Sequence, residues 1–343
     1  WFARGEGWPM RNFEGLVSAT ERDWVASIKA AEPGELTLAE RADLPDWLAE
    51  RLLAQMGEGE VLALAHGLNR PAPLDLRVNL LKAARDAVLA RLRADGIGAE
   101  AGRLSPQAIR LAGKPALQKH PLFLDGSFEV QDEGSQLLAC LVDAPRRGRV
   151  VDFCAGAGGK TLALAMELEN KGEILACDVV GRKLEELMRR ARRAGVHNVR
   201  THELGPDPHA FVQAQAGRHD RVLVDAPCSG SGTLRRNPDL RNRPLDLAAL
   251  TALQGRILET ASRLVAPGGR LVYATCSLID AENRGVVESF LMAHPEFVRR
   301  PAQVVMEQRN LFLPTSLFRD DDLQLAPHRH GTDGFYAAVL ERV

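Results

Sequence analysis

Residues 221–232 read Arg-Val-Leu-Val-Asp-Ala-Pro-Cys-Ser-Gly-Ser-Gly, an apolar run that stops at a polar, glycine-rich turn. β-Branched and aliphatic residues that end at Asp, Pro and Gly predict a buried strand. In an open α/β sheet, ligands bind beside the carboxyl ends of such strands. The stretch therefore predicts a parallel sheet with Asp225 and Cys228 at its functional edge.

The same arrangement occurs twice more in the sequence. Residues 150–154 (Val-Val-Asp-Phe-Cys) lead into a glycine-rich turn, and residues 269–274 lead into Thr275-Cys276-Ser277. Strand and helix patterns alternate from residue 149 onward, which indicates a parallel sheet with helices on both faces. The predicted strands cover residues 150–153, 174–177, 199–202, 221–224, 270–274 and 335–340.

The chain before this region divides into two further parts. Residues 1–70 show the apolar spacing of helices, and Pro71-Ala72-Pro73 marks a boundary. Residues 71–135 combine short strand patterns with one helical stretch, which predicts a small α+β module. We therefore expect three parts: 1–70, 71–135 and a large α/β domain over 136–343.

Composition excludes several classes of protein. The 343 residues are 45% hydrophobic and 26% charged, with a formal net charge of −1, as in ordinary globular proteins. The sequence contains no apolar run of about eighteen residues, so no membrane span is expected, and the first residues lack the apolar core of a signal peptide. Five cysteines without a Cys-x-x-Cys pair argue against a disulfide framework and a zinc site. We expect a cytoplasmic protein without bound metal.

The glycine-rich turn predicts a nucleotide-like cofactor. Such a turn lets a ligand approach the backbone closely, and Asp178 at the end of the second strand can accept both hydroxyls of a ribose. NAD and S-adenosylmethionine both fit this pattern. The candidate cofactor-binding residues of the turn are Cys154, Ala155, Gly156, Ala157, Gly158, Gly159 and Lys160.

The two strand-end cysteines distinguish these cofactors, because hydride transfer needs no thiols. Cytosine C5 is a poor nucleophile that becomes reactive when a thiolate adds to C6. Cys228 and Cys276 follow neighbouring strands, so both can face one pocket, with Asp225 beside them. A lone cysteine in a strand is usually a small buried apolar residue, and we interpret Cys140, Cys154 and Cys177 in that way.

From about Leu44 onward, the sequence resembles the Sun, or RsmB-type, family of RNA cytosine-C5 methyltransferases. The resemblance implies a Rossmann-like class I methyltransferase domain with a mostly parallel seven-stranded sheet, preceded by a small RNA-binding module and a short helical segment. The motifs that carry it are residues 77–79, 130–136, 154–161, 225–232, 235–239, 275–277, 282–283 and 332–335.

The resemblance also implies roles for individual residues. Cys276 would attack C6 of cytosine, and Cys228 would assist release of the methylated product. Asp225 would lie between the cofactor, S-adenosylmethionine, and the base, with Lys160 near the reacting centre and Asp178 on the ribose.

The resemblance implies an RNA substrate, with ribosomal RNA ahead of transfer RNA, and we expect a monomer. Arg77 and Asn79 of the small module would lie near the pocket, and Arg235 and Arg236 would contact phosphates. The target cytosine must be single-stranded or flipped out to reach buried thiols.

Two departures from the family pattern and three alternatives remain. Gly156-Ala157 replaces the usual Ala-Pro, which should loosen the turn, and residues 202–207 contain no clear match to the acidic residue near adenine.

One alternative function is methylation of another nucleophile, which leaves both cysteines unexplained. The others are a catalytically silent RNA-binding or ribosome-assembly factor, and an NAD-dependent oxidoreductase.

Overall fold

Helices occupy the chain before its first strand. The computed structural model describes residues 9–30 and 36–343, so residues 1–8 and 31–35 of the predicted helical segment lie outside the described residues. The helices are α1 (Ala19–Ala30), α2 (Leu38–Ala42), α3 (Asp46–Met56) and α4 (Glu58–Leu68). A capping box starts α2, because Thr37 and Glu40 each accept a hydrogen bond from the other's backbone N–H. Leu48, Leu52 and Leu64 are buried where α3 and α4 pack together.

A small antiparallel sheet follows, with its strands in the order β2-β3-β1-β4. Apolar residues of the sheet, such as Leu76 and Phe128, pack with Val88 and Leu92 of the helix α5. The short strands predicted within residues 71–135 are confirmed. The elements are β1 (Leu74–Val78), α5 (Arg85–Ala94), β2 (Ala99–Ala101), β3 (Ala108–Leu111), α6 (Pro121–Leu124) and β4 (Phe128–Val130).

The large sheet confirms the predicted α/β class. Its strands are β5 (Arg149–Asp152), β6 (Glu173–Asp178), β7 (Val199–Glu203), β8 (His219–Asp225), β9 (Val265–Thr275), β10 (Phe297–Arg300), β11 (Phe318–Arg319), β12 (Asp322–Leu325) and β13 (Phe335–Arg342). The order is β11-β12-β13-β9-β8-β5-β6-β7, and β10 also pairs with β13. Neighbours from β9 to β7 are parallel, whereas β10 to β13 add an antiparallel edge. The sheet thus has nine strands instead of the expected seven.

Helices cover both faces of this sheet because successive strand residues point to opposite sides. Val150 and Leu223 pack with α7, α8, α9 and α13, whereas their neighbours Val151 and Val222 pack with α10, α11 and α12. Within the described ranges, no helix has the length and apolar character to cross a bilayer. The helices are α7 (Glu133–Val142), α8 (Gly159–Glu167), α9 (Gly181–Ala194), α10 (His209–Gln215), α11 (Leu247–Ser262), α12 (Arg284–Ala293), α13 (Ala302–Gln308) and α14 (Pro327–His330).

Ion pairs fasten the small sheet to the large one. Glu129 of β4 is buried and accepts hydrogen bonds from Arg190 (3.0 Å) and Arg193 (2.6 Å) of α9. Beside this pair, the Asn79 side-chain amide donates to the carbonyl of Ala194, where α9 ends, at 2.8 Å. The two sheets therefore share an interface built on one carboxylate and the last two turns of α9.

Replacing Glu129 with Gln should destabilise the protein. The change removes a buried negative charge between two guanidinium groups, and we expect a loss of about 2 kcal/mol in the free energy of unfolding. This loss is smaller than for a fully buried ion pair because both arginines are partly exposed. Urea denaturation followed by circular dichroism measures this loss. The control is Glu186→Gln, since Glu186 pairs with Arg189 on the open surface of the same helix, where no measurable change is expected.

Candidate active site

The carboxyl ends of β8 and β9 bring the two predicted cysteines together. The strands are parallel, and Asp225 lies beside Ala274 in their register, so the residues that follow each strand emerge at the same edge. The Sγ atoms of Cys228 and Cys276 are 3.3 Å apart. Both side chains are partly exposed, so a small group entering this edge can reach the thiols.

Lys160 and Asp225 form an ion pair beside the thiols, with 2.6 Å between Nζ and Oδ2. Burial alone would lower the pKa of Lys160, but the charge of Asp225 and its hydrogen bond outweigh burial and hold that pKa above its usual value. The ammonium group is therefore charged at neutral pH.

A cavity of about 450 Å³ opens next to this ion pair. Four of the predicted residues line it: Cys154, Gly156, Asp178 and Asp225. The sequence did not indicate its other lining side chains, which are Phe153, Val179, Lys183, Leu204, Pro227, Leu253 and Ile257. Leu204 occupies the region after the third parallel strand where an acidic residue was sought, so the wall is apolar there.

The glycine-rich turn forms one side of the cavity. Gly156 has a φ of +55°, and a Cβ atom placed on it would meet no other atom within 4 Å, so this position faces open space. Its backbone N–H donates to Oδ2 of Asp178 at 2.8 Å. Asp178 accepts a second backbone hydrogen bond from Val180 at Oδ1 (2.9 Å). These bonds fix the carboxylate at the end of β6 while it faces the cavity.

Two arginines hold the glycine-rich turn, which lacks the proline that is usual in the family. Arg190 of α9 donates to the carbonyl of Ala157 at 2.7 Å, and Arg77 of β1 donates to the carbonyl of Gly159 at 2.5 Å. Sequence analysis predicted a looser turn, since a proline fixes φ and reduces the freedom of the chain. These two contacts provide an alternative restraint from the adjoining elements.

The residues present fit S-adenosylmethionine. The turn offers a cradle at Gly156, Asp178 can accept the ribose hydroxyls, and the apolar wall around Leu204 suits an adenine ring. Asp152, at the end of β5, has an oxygen (Oδ1) that is buried without a hydrogen-bond partner among the described residues. Burial raises the pKa of Asp152 to about 7, and its other oxygen accepts from Thr161 at 2.7 Å.

Gly156→Ala tests the cradle. The substitution places a Cβ atom in a left-handed backbone conformation, which costs about 1–2 kcal/mol. The free variant should relax the turn to avoid this cost and must restore the conformation to bind, so the dissociation constant for S-adenosylmethionine should rise about tenfold. Isothermal titration calorimetry measures this constant. Gly59→Ala, at an exposed position in α4 with open space around it, is the control and should leave the affinity unchanged. An unaltered affinity in Gly156→Ala would mean that the turn binds the cofactor without this conformation.

The structure places Arg77 and Asn79 inside the interface between the two sheets. Arg77 is buried and donates to Gln131 and Gly159, and burial lowers its pKa to about 10. Asn79 is also buried and donates to the carbonyls of Gly126 and Ala194. Both side chains fasten protein elements, because their polar groups are hydrogen-bonded within the fold, and their contact with RNA stays a prediction.

Arg235 and Arg236 are also held by contacts within the fold. Their Nε atoms lie 2.6 Å and 2.5 Å from the two carboxylate oxygens of Asp333, and Arg236 also contacts Asp132 at 2.8 Å. The Arg235 side chain is only 5% exposed and that of Arg236 29%. These guanidinium groups pair with two carboxylates from distant parts of the chain, and their contact with phosphates stays a prediction.

Asn283, whose role was not predicted from the sequence, forms the hydrogen bonds behind Cys276. Thr275 donates to Asn283 Oδ1 at 2.5 Å, and the Asn283 amide donates to the carbonyl of Ser277 at 2.9 Å. The side chain of Asn283 therefore connects the residues on both sides of Cys276. The adjacent pair Glu282-Asn283, one of the motifs quoted above, was the available signal for this role.

The remaining cysteines are separate from the thiol pair. Cys140 and Cys177 are buried in the apolar core, and burial raises the pKa of each to about 12, which makes them unreactive. Cys154 lines the cofactor cavity. Among residues 9–30 and 36–343, no three His, Cys, Asp or Glu side chains are grouped as metal ligands.

Comparisons with known proteins agree with this geometry. The family profile for the 16S rRNA methyltransferase RsmB/F matches residues 139–341. The profile for the RsmF/B-like ferredoxin-like domain matches residues 44–118, which include most of the small sheet.

Individual relatives give the same result over most of the chain. A probable ribosomal RNA small subunit methyltransferase B from Synechocystis is 35% identical over 90% of this chain and 69% of its own length. Its counterpart in Bacillus subtilis is 33% identical over 96% of this chain and 73% of its own length. The crystal structure of a methyltransferase homologue from Pyrococcus horikoshii is 28% identical, with a TM-score of 0.75, over 91% of this chain and 100% of the other. The chain therefore belongs to the RsmB/F family of rRNA methyltransferases, which depend on S-adenosylmethionine.

Proposed function

We propose that this protein methylates C5 of a cytosine in ribosomal RNA through a covalent bond between Cys276 and C6 of the base. The observation that carries the proposal is the pair of thiols 3.3 Å apart beside the cofactor cavity. Methylation of a base nitrogen or transfer of a hydride would leave both thiols without a role.

The chemistry follows from the reactivity of cytosine. A Cys276 thiolate forms a bond to C6, and the electrons of the C5–C6 double bond move to C5, which becomes nucleophilic. Bound S-adenosylmethionine supplies a methyl group activated by its sulfonium. Loss of the C5 proton and cleavage of the S–C6 bond then restore the double bond and free the thiol.

The neighbouring residues support these steps. The charged ammonium group of Lys160 favours a thiolate at Cys276 electrostatically. Asp225 both holds Lys160 and lines the cofactor cavity, so it stands between the two substrates. Cys228, in contact with the attacking sulfur, is placed to assist when that sulfur leaves the base. Asp178 and residues 154–160 would hold the cofactor.

The RNA-binding role extends to the small module. We keep the proposed division into 1–70, 71–135 and 136–343, and assign RNA binding to the surface of the second part. Arg77, Asn79, Arg235 and Arg236 act there as fasteners that fix the module beside the active site. Ribosomal RNA is the proposed substrate because the relatives described above are named as ribosomal RNA small subunit methyltransferases.

Bisulfite sequencing of ribosomal RNA tests the proposal. Unmodified small-subunit RNA, free or assembled with ribosomal proteins, is incubated with the protein and S-adenosylmethionine. We expect one cytosine to become resistant to bisulfite conversion, and none without the cofactor. Binding of the RNA with no resistant cytosine in either form would instead support the catalytically silent assembly factor, against which the intact thiol pair now counts.

A further inference from the structure

Glu282 is a buried carboxylate that contacts the loops of both cysteines. Its Oε1 accepts from the backbone N–H of Ser229 at 2.7 Å, and its Oε2 accepts from the hydroxyl of Ser277 at 2.5 Å. These two residues directly follow Cys228 and Cys276. A third hydrogen bond comes from the amide of Gln254 at 3.0 Å. One fully buried side chain thus joins the two halves of the thiol pair.

The charge of Glu282 has no cationic partner. In the described part of the chain, no lysine, arginine or histidine forms an ion pair with it, and its donors are two neutral side chains and one backbone N–H. A buried charge without a counter-ion acts strongly on neighbouring titratable groups. The positive charge of Lys160 acts on Cys276, where it opposes the field of Glu282.

We propose that Glu282 determines which thiol is ionised: its carboxylate keeps Cys228 protonated and so reserves the thiolate for Cys276. This inference rests on the proposed function and adds a positioning residue to it. In the resulting arrangement, the protonated Cys228 donates a hydrogen bond to the Cys276 sulfur across 3.3 Å. A protonated Cys228 does not compete for C6.

The groups that face Cys228 agree with this assignment. The pKa of the Cys228 thiol is held well above its usual value, first by the hydrogen bond with Cys276, then by burial and by the charges of Cys276 and Glu282. Tyr273 also faces Cys228; its hydroxyl donates to the carbonyl of Glu282 at 2.6 Å, and burial raises its pKa well above its usual value, so it is uncharged at neutral pH. Lys160, a cation that acts on Cys276, is paired with Asp225. A hydrogen bond with the backbone of Gly230 lowers the pKa of Cys228, but it is the smallest of these effects, so that pKa stays raised.

The test measures the alkylation of Cys228 by iodoacetamide as a function of pH, with peptide mass spectrometry as the readout. Two proteins are compared, Cys276→Ala and Cys276→Ala with Glu282→Gln, so that the hydrogen bond between the thiols is absent from both. Gln keeps the shape and can still accept from Ser229, but it removes the charge. We expect the midpoint for Cys228 to fall by about one pH unit, giving about tenfold faster alkylation below the midpoint.

Two comparisons distinguish the loss of the Glu282 charge from a change in loop structure. Alkylation of Cys154 in the same samples should keep its pH dependence, because Glu282 is not among the groups that shift its pKa. Loosened loops would raise the limiting rate for Cys228 at high pH, whereas loss of charge moves the midpoint. If the Gln variant does not fold, Glu282→Asp takes its place. Asp withdraws the carboxylate by one methylene, so alkylation of Cys228 below the midpoint should be about threefold faster than in Cys276→Ala alone.

An unchanged Cys228 midpoint in a folded variant would overturn the inference. This experiment uses neither RNA nor cofactor, so its outcome is independent of whether cytosine is the substrate. If the midpoint moves but no cytosine is methylated by the native protein, the role of Glu282 stands and the proposed function fails.

Discussion

Cys276→Ala should abolish cytosine methylation while S-adenosylmethionine binding persists. The substitution removes the only atom proposed to bond to C6, and without that bond C5 remains a poor nucleophile. We expect the rate to fall by at least about a thousandfold, as for the loss of other covalent nucleophiles. The measurement is transfer of a radiolabelled methyl group to small-subunit RNA, with calorimetry to confirm cofactor binding.

Cys140→Ala is the matched control for this loss. It also removes one thiol, but from the core between α7 and the large sheet, so the methylation rate should remain near that of the native protein. If Cys276→Ala retained activity and Cys228→Ala lost it, the two cysteines would have the opposite roles. The nucleophile would then be Cys228 in the Pro-Cys loop, contrary to what the resemblance implies.

The thiol pair could be predicted because parallel strands end at a common edge. The apolar runs before Asp225 and Thr275 specified two buried strands, and their parallel register places the following residues together. The 3.3 Å separation could not be predicted, because it depends on the turn after Cys228. There, Gly230 has a φ of +72°, and the N–H of Gly232 donates to the carbonyl of Cys276 at 2.9 Å.

The ion pairs of Arg235 and Arg236, by contrast, could not be predicted from the sequence. Sequence position placed Arg235 and Arg236 after the Cys228 loop, and a basic pair beside a nucleic-acid site suggests phosphate contacts. Their partners, Asp132 and Asp333, are about a hundred residues away on either side. Local sequence contains no information on such long-range pairing, so the difference between an open and a neutralised guanidinium group appears only in the fold.

The short antiparallel edge was missed for a different reason. The strand β11 has two residues and β12 has four, which is too few for alternation to be recognised. The longer β13 was expected near residues 335–340 because its apolar run is continuous. β13 pairs with β9 over Tyr336 to Glu341 and with β12 over Phe335 to Ala337, so it connects the short strands to the main sheet.

Cys228→Ala should convert the enzyme into one that remains attached to its RNA. The S–C6 bond can still form through Cys276, but its cleavage loses the group that lies 3.3 Å from the leaving sulfur. We expect a protein–RNA adduct that withstands denaturation and accumulates to most of the enzyme, whereas the native protein shows almost none. Denaturing gel electrophoresis of the reaction measures the retarded fraction.

The double variant Cys228→Ala with Cys276→Ala distinguishes a covalent adduct from tight binding. It keeps the same fold and surface but lacks both sulfurs, so no retarded band should survive denaturation. The adduct should also require a cytosine at the target position, since replacement by uridine in the RNA removes the proposed substrate. A Cys228→Ala enzyme that turns over normally and forms no adduct would show that the second thiol takes no part in release. In that case, its contact with Cys276 serves only the resting enzyme, by donating a hydrogen bond to the attacking sulfur before the RNA binds.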